Sequence, residues 1–392
     1  MNKNILNTGV QNFINKNIDT DIVSVLLTKV NFGDVSSQEL AQQIEAKKKC
    51  RDKLPLWFST PKIYYPKRLN MEQTSSEITA TYKSEKITGR NLADLTGGFG
   101  VDSYFFSRKI YHVFHCEIDE GLSEIAAHNF GALGANNIVS IKGDGIEFLE
   151  RSKTKFDWVF LDPSRRNRSK GKVFRLSDCL PNVPDNLELL LDRSDHVLIK
   201  TSPLLDISIG LRELREVVEI HIVAVQNEVK ELLWFLKKGV KDGVSIYTVN
   251  FNGPKKEVFT FKYGEEKRAV TSYGFPEGYL FEPNASILKS GAFKTIGNRF
   301  GLKKLHEHSH LYTSKEWMDF PGRRFLIEAV VPYNKKTIQK LKLEKANITT
   351  RNFPENVESI RKKLKIKDGG DVFLFFTKDM DGKLVMIWCS KV

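Results

Sequence analysis

The residues best placed to do chemistry lie between Asn91 and Asp102, in the run N-L-A-D-L-T-G-G-F-G-V-D. An apolar strand is expected to end at Asp94-Leu95. A loop with Gly97, Gly98 and Gly100 follows, and a helix should open near Val101. Glycines let a backbone approach a ligand closely, and a helix N-terminus presents unpaired N–H groups, so this order suits a nucleotide-like ligand. The spacing does not match the G-x-G-x-x-G dinucleotide fingerprint. Three further sites end later apolar runs. Glu117, followed by Ile118, closes F-H-C-E, where a carboxylate can accept both hydroxyls of a ribose. Asp119 is the near alternative, with helix capping as its other role. Asp144 follows the third run and could accept an exocyclic adenine amine, with Gly145 and Ile146 lining the ring. The fourth run, W-V-F-L, delivers Asp162-Pro163-Ser164-Arg165-Arg166, and Pro163 stiffens a sharp turn that aims Asp162 at the cleft.

These sites need elements that bring strand ends together. Strand-like runs at 91–95, 112–117, 137–141, 156–161, 195–200, 219–225 and 244–251 alternate with helix-like runs such as 101–109, 120–131 and 228–238. The alternation predicts an α/β doubly wound sheet with its ligand at the C-terminal strand ends. Residues 1–70 read as an N-terminal helical subdomain: Ile22, Val25, Leu26 and Val30 share one face, as do Leu40 and Ile44. Ser75 or Ser76 is expected to cap a helix carrying Ile78 and Tyr82. Past residue 278 the pattern is α+β. A helix-like stretch covers 285–298. His306, His308 and His310 alternate as they would on one face of a strand, without a Cys or carboxylate at metal-ligand spacing. Residues 321–392 read β-α-β-α-β-β, closing with a hairpin around Asp379–Gly382.

The chain of 392 residues suits two or three domains and is 41% hydrophobic, enough to bury substantial cores. No apolar run reaches the ~18 residues that a bilayer span needs. Cys50, Cys116, Cys179 and Cys389 are scattered without C-x-x-C spacing, so a reducing, cytoplasmic location is expected. The net charge of +13 sits mostly at one end: 34 Lys+Arg face 32 Asp+Glu through residue 250, but 27 face 16 from 251 onward. A basic C-terminal third on a nearly neutral remainder points to a polyanion such as RNA.

D-L-T-G-G-F-G-V-D (94–102), D-P-S-R-R (162–166) and E-Q-T-S-S-E (72–77) together resemble a bacterial family of class I S-adenosylmethionine (SAM) methyltransferases with a ferredoxin-like domain and a C-terminal THUMP-like domain. The resemblance runs over most of the chain. In it Asp94-x-Thr96-x-Gly98-x-Gly100 stands for the acidic-x-G-x-G-x-G cofactor loop, with Thr96 in the first glycine slot. It implies SAM as cofactor. Asp94 would receive the methionine ammonium directly or through water. Thr96, Gly97, Gly98, Phe99, Gly100, Asp102, Glu117, Ile118, Asp144 and Gly145 would line the cofactor, and Gln73, Thr74, Ser75 and Ser76 would fold over it. The implied fold is a Rossmann-like seven-stranded sheet whose last strand is 244–251. The implied domains are 71–252 (methyltransferase), 278–320 (ferredoxin-like) and 321–392 (THUMP-like).

For the acceptor, Arg165, Arg166, Arg168, Lys170, Lys172 and Arg175 put six cations in eleven residues directly after Asp162, a natural phosphate contact. D-P-S-R resembles the N/D-P-P-aromatic motif of nitrogen methyltransferases, but Ser164 and Arg165 replace its last two residues, which leaves nitrogen as the target open. Cys179 lacks the setting of a covalent nucleophile. The expected reaction is therefore in-line transfer, most simply to tRNA or rRNA, with Asp162, Pro163, Ser164 and Arg165 at the reacting centre and no metal needed. A protein or small-molecule acceptor, or binding without catalysis, are the alternatives.

Overall fold

The alternating runs fold as one large sheet with strands β1 (Gly89–Asp94), β2 (Ile110–Glu117), β3 (Ile138–Lys142), β4 (Phe156–Leu161), β5 (Ser194–Thr201), β6 (Val217–Val225), β7 (Glu228–Leu236), β8 (Ser245–Asn252) and β9 (Lys255–Lys262). Their order is β9-β8-β6-β7-β5-β4-β1-β2-β3. β1 runs parallel to both β2 and β4, with Asp94 opposite His115 and Phe160. Connections leave β1 and β4 in opposite directions across the sheet, which opens a crevice at their C-terminal ends. The computed structural model describes residues 1–28, 32–165, 175–240 and 242–392. They form two compact units, Met1–Val217 with Trp234–Val240, and Val218–Leu233 with Lys241–Val392.

In the first unit, six α-helices precede β1 among the described residues: α1 (Thr8–Lys16), α2 (Ile22–Leu27), α3 (Ser37–Lys53), α4 (Pro55–Ser59), α5 (Arg68–Gln73) and α6 (Glu77–Ser84). The helix α3 starts at a capping box of Ser36 and Glu39, and Ser76 caps α6 through the Thr79 N–H. Ile5, Val10, Ile14, Leu40 and Ile44 bury one another in a small core. Val30 lies outside the described residues. Cys50, Leu54 and Trp57 instead join Phe99, Tyr104 and Phe130, so the N-terminal helices are built into the flank of the sheet layer. Trp57 is fully buried, with its ring 5.0 Å from that of Tyr104. Between the strands run α7 (Val101–Ser107), α8 (Glu120–Ala132), α9 (Gly145–Arg151), α10 (Val183–Arg193) and α11 (Ile207–Glu213).

Past residue 217 the structure corrects three expectations. Residues 228–236 are the strand β7, not a helix. Gln226 and Asn227 both take positive φ (52° and 61°), the backbone of a type I′ hairpin turn, and Leu232–Leu236 are buried without a break. With β7 and a further unexpected strand, β9, the sheet has nine strands, and 244–251 is its eighth rather than its last. The stretch 285–298 splits into α13 (Ala285–Ser290) and α14 (Thr295–Arg299), after the short α12 (Glu265–Arg268), because Gly291 ends α13 in a left-handed conformation. His306–His310 form a turn, not a strand: His310 has a φ of 52° and stacks 3.6 Å from Phe293. A second sheet contains β10 (Tyr279–Pro283), β11 (Lys303–Lys304), β12 (Tyr312–Ser314), β13 (Gly322–Pro332), β14 (Asn347–Thr350), β15 (Val372–Lys378) and β16 (Leu384–Lys391), in the order β11-β12-β10-β13-β16-β15-β14. α15 (Lys335–Gln339) and α16 (Val357–Leu364) pack on it. No described helix is long and apolar enough to cross a membrane.

Candidate active site

The loop after β1 is fixed from below by buried polar side chains. Asp94 is 1% exposed. Its carboxylate accepts the Thr96 N–H at 3.1 Å and the Ser103 hydroxyl at 2.6 Å. Ser103 also lies 3.1 Å from Nδ1 of the buried His115. Burial pushes the Asp94 carboxyl up to about 7 and the His115 imidazole down to about 3. With one donor on each oxygen and almost no exposed surface, Asp94 braces the loop from inside, and a cofactor ammonium would reach it most simply through water.

Above this layer the glycines do two different jobs. At Gly97 a Cβ would fall 2.1 Å from His115 Cε1, so only glycine lets the loop close over the imidazole. At Gly98, with φ +57°, a Cβ would meet only the Thr96 carbonyl oxygen at 3.9 Å, and the Gly98 N–H donates to Glu117 Oε2 at 2.8 Å. Gly100 begins α7 with φ +84°, where a Cβ would meet Phe130. The Phe99 side chain is committed to the core beside Trp57, so only its backbone belongs to the loop surface.

Glu117 ends β2 and also accepts the Asp119 N–H at 2.8 Å, while Asp119 caps α8. Ile118 is 70% exposed beside it. Asp144 caps α9 through the Ile146 and Glu147 N–H groups, a role not foreseen for it from the sequence. A Cβ on Gly145 would lie 2.3 Å from the Leu95 carbonyl oxygen. An open glycine face, a strand-end carboxylate and an exposed apolar side chain fit a nucleoside-bearing ligand.

Asp162 follows β4, and its N–H donates to Thr96 Oγ1 at 2.6 Å, which ties the β4 loop to the β1 loop. Its side chain is 35% exposed, and Lys200 Nζ donates to its Oδ2 at 2.5 Å. Lys200, at the end of β5, also lies 3.8 Å from Asp102 Oδ2. Asp102 in turn has Lys83 Nζ at 3.2 Å and accepts the Ser75 hydroxyl at 2.7 Å. Burial opposes ionisation of Asp102, but Lys83 and Lys200 outweigh it and hold the carboxyl below its ordinary range. Nearby, burial and then the Lys200 charge push Lys53 down to about 8.

Asp102 and Ser75 thus belong to a buried ion network. The sequence reading missed Lys83, Lys200, Ser103 and His115. Its one available signal was a lysine closing the apolar run V-L-I-K at a strand end. Of the remaining candidates, Gln73 is exposed at the end of α5 and Thr74 follows it. Pro163 is buried and Ser164 exposed. Ser164–Arg165 pairs antiparallel with Cys179–Leu180, and Cys179 is buried. Arg166, Arg168, Lys170 and Lys172 lie outside the described residues. Among the described residues no group of three or more His, Cys, Asp or Glu could hold a metal ion.

The sheet order and strand-end crevice define a class I methyltransferase fold. A Porphyromonas gingivalis W83 protein, described as a "putative methyltransferase", matches over 100% of this chain and 99% of its own, at 32% identity and a TM-score of 0.90. Family models match residues 279–321 as a ferredoxin-like domain and 322–391 as a THUMP domain-like segment. The chain belongs to this methyltransferase family with ferredoxin-like and THUMP-like domains. An rRNA methylase from Streptococcus thermophilus aligns with 42% of this chain and 98% of its own, at 16% identity and a TM-score of 0.31. A Streptococcus mutans protein in complex with SAH (S-adenosylhomocysteine) aligns with 41% and 96%, at 12% identity and a TM-score of 0.31. Likeness at that level carries no weight for substrate or cofactor. No curated protein matches the chain.

Proposed function

We propose that the protein is a SAM-dependent methyltransferase acting on RNA, either tRNA or rRNA, by direct in-line transfer. The observation that carries the reading is the joining of three strand-end loops: Gly98 N–H to Glu117, and Thr96 to the Asp162 backbone. SAM bound there supplies a methyl group already activated by its sulfonium. Glu117 would take the ribose hydroxyls, Ile118 and the Asp144-Gly145 turn would flank the adenine, and the 96–100 backbone would line the methionine portion. Asp162 aligns the acceptor and receives its proton during or after attack. Arg165, Arg166, Arg168, Lys170 and Lys172, which follow it in the sequence, would supply phosphate contacts, and the basic C-terminal third carries further cations for RNA.

The proposed division is 1–70 helical, 71–252 catalytic, 278–320 ferredoxin-like and 321–392 THUMP-like. The test uses RNA from a strain lacking the gene, incubated with the protein and methyl-labelled SAM, then digested to nucleosides for mass spectrometry. One methylated nucleoside, absent from the starting RNA, is expected. No label in RNA, from protein that binds SAH, would turn the search to protein and small-molecule acceptors.

A further inference from the structure

We infer that Lys200 is a positioning residue for methyl transfer, acting through Asp162. The inference rests on the methyltransferase reading above. Strands β4 and β5 are parallel neighbours, with Leu161 opposite Ile199. One step past that pair, the chain places Asp162 and Lys200 side by side at the C-terminal edge, where Nζ and Oδ2 meet at 2.5 Å. The Lys200 side chain is 11% exposed, and an ammonium is held at that depth only with compensating partners. Asp102 already has Lys83 and Ser75, and stands farther from Lys200 than Asp162 does. Lys200 therefore serves Asp162 first, and Asp102 keeps its ammonium in place.

The relay Ser75–Asp102–Lys200–Asp162, buttressed by Lys83, fixes Asp162 at its side chain, while Thr96 fixes it at its backbone. With Oδ2 held by the ammonium, Oδ1 is the oxygen that meets the acceptor. The two lysines also balance the two carboxylates, so the site presents a hydrogen-bond acceptor rather than net negative charge. That suits a neutral acceptor group such as a nucleobase nitrogen.

The full chain, with RNA from the deletion strain and labelled SAM, tests this through Lys200→Met, Lys200→Arg, Asp162→Asn and the double variant Asp162→Asn/Lys200→Met. Misplacing an aligning group by about 1 Å costs on the order of 10²-fold, so kcat should fall by about that factor in Lys200→Met. KM for SAM and Kd for SAH should stay within about threefold, because the residue acts on the acceptor side. Lys200→Arg should recover part of kcat, and the double variant should be no slower than Asp162→Asn alone. Lys200→Gln, which keeps a donor without the charge, replaces Lys200→Met if melting shows the latter unfolded. A Lys200→Met kcat near wild type, or losses that multiply in the double variant, would overturn the inference while leaving the proposed function standing. Absence of transfer by the wild type would remove both.

Discussion

Replacing Asp94 by Asn should make the protein more stable at neutral pH and worse at its task. Burial, with added repulsion from Asp102 and Asp162, pushes the Asp94 carboxyl up to about 7 from an ordinary 3.8, although Ser103 and Thr96 donate to it. The unfolded chain releases this proton near pH 4, whereas the folded protein keeps it to about pH 7. Between those values the folded state binds more protons, so wild-type stability falls as pH rises through that window and levels off above it. A difference of about 3 pKa units is worth roughly 4 kcal/mol, an order-of-magnitude ceiling.

Asparagine keeps the shape at this position. Its oxygen can accept the Thr96 N–H and its amide can donate to Ser103. The Ser103 hydroxyl can then turn to Nδ1 of the neutral His115. Asp94→Asn should therefore match wild type near pH 4 and exceed it by ~2–4 kcal/mol at pH 8. SAH affinity should drop at least about tenfold, since the charge beneath the loop is lost. Hydrogen exchange of the 91–107 peptides across a urea series, at pH values from 4 to 9, reads the stability locally. An Asn variant less stable than wild type at pH 8, or a difference that does not change with pH, would refute the reasoning.

Two further outcomes follow from the same geometry. Gly97→Ala drives a Cβ to 2.1 Å from the His115 ring and should destabilise the first unit by ~1–3 kcal/mol while weakening SAH binding; unchanged melting together with unchanged SAH affinity would contradict the fit of loop on imidazole. RNA affinity measured by filter binding should fall by ~10³-fold or more between 50 and 200 mM salt if six or more phosphate contacts are made, whereas a flat salt response would argue against the basic loop and C-terminal third as the RNA surface.

Much of the site could be read from the sequence because glycines, strand-end carboxylates and Pro163 are each demanded by backbone geometry, and such demands leave marks in residue type. The buried network left only one such mark, the lysine that closes the apolar run V-L-I-K. Lysines are surface residues by default, and nothing in K-S-E announces that Lys83 turns inward to meet Asp102. β7 was misread for a related reason: Val229, Leu232, Leu233 and Leu236 fall at helical spacing, and Glu228, Lys230 and Glu231 are good helix formers. Tertiary pairing overrode that local preference, and the Gln226-Asn227 turn, whose positive φ values the structure shows, lacks the glycine that marks such a turn in sequence. The burial of Asp94 was not legible because it depends on Ser103 and His115, which come from two later elements, α7 and β2.

The central claim is that the crevice at the ends of β1, β2 and β4 holds SAM. Calorimetric titration of the full chain with SAH, on wild type and on Glu117→Ala, tests it most directly. The account predicts micromolar binding by the wild type and a loss of at least about tenfold in the variant, because Glu117 holds the Gly98 N–H and, on the proposed reading, would also take the ribose. Folded wild-type protein that binds no SAH, or equal binding by the two proteins, would contradict it.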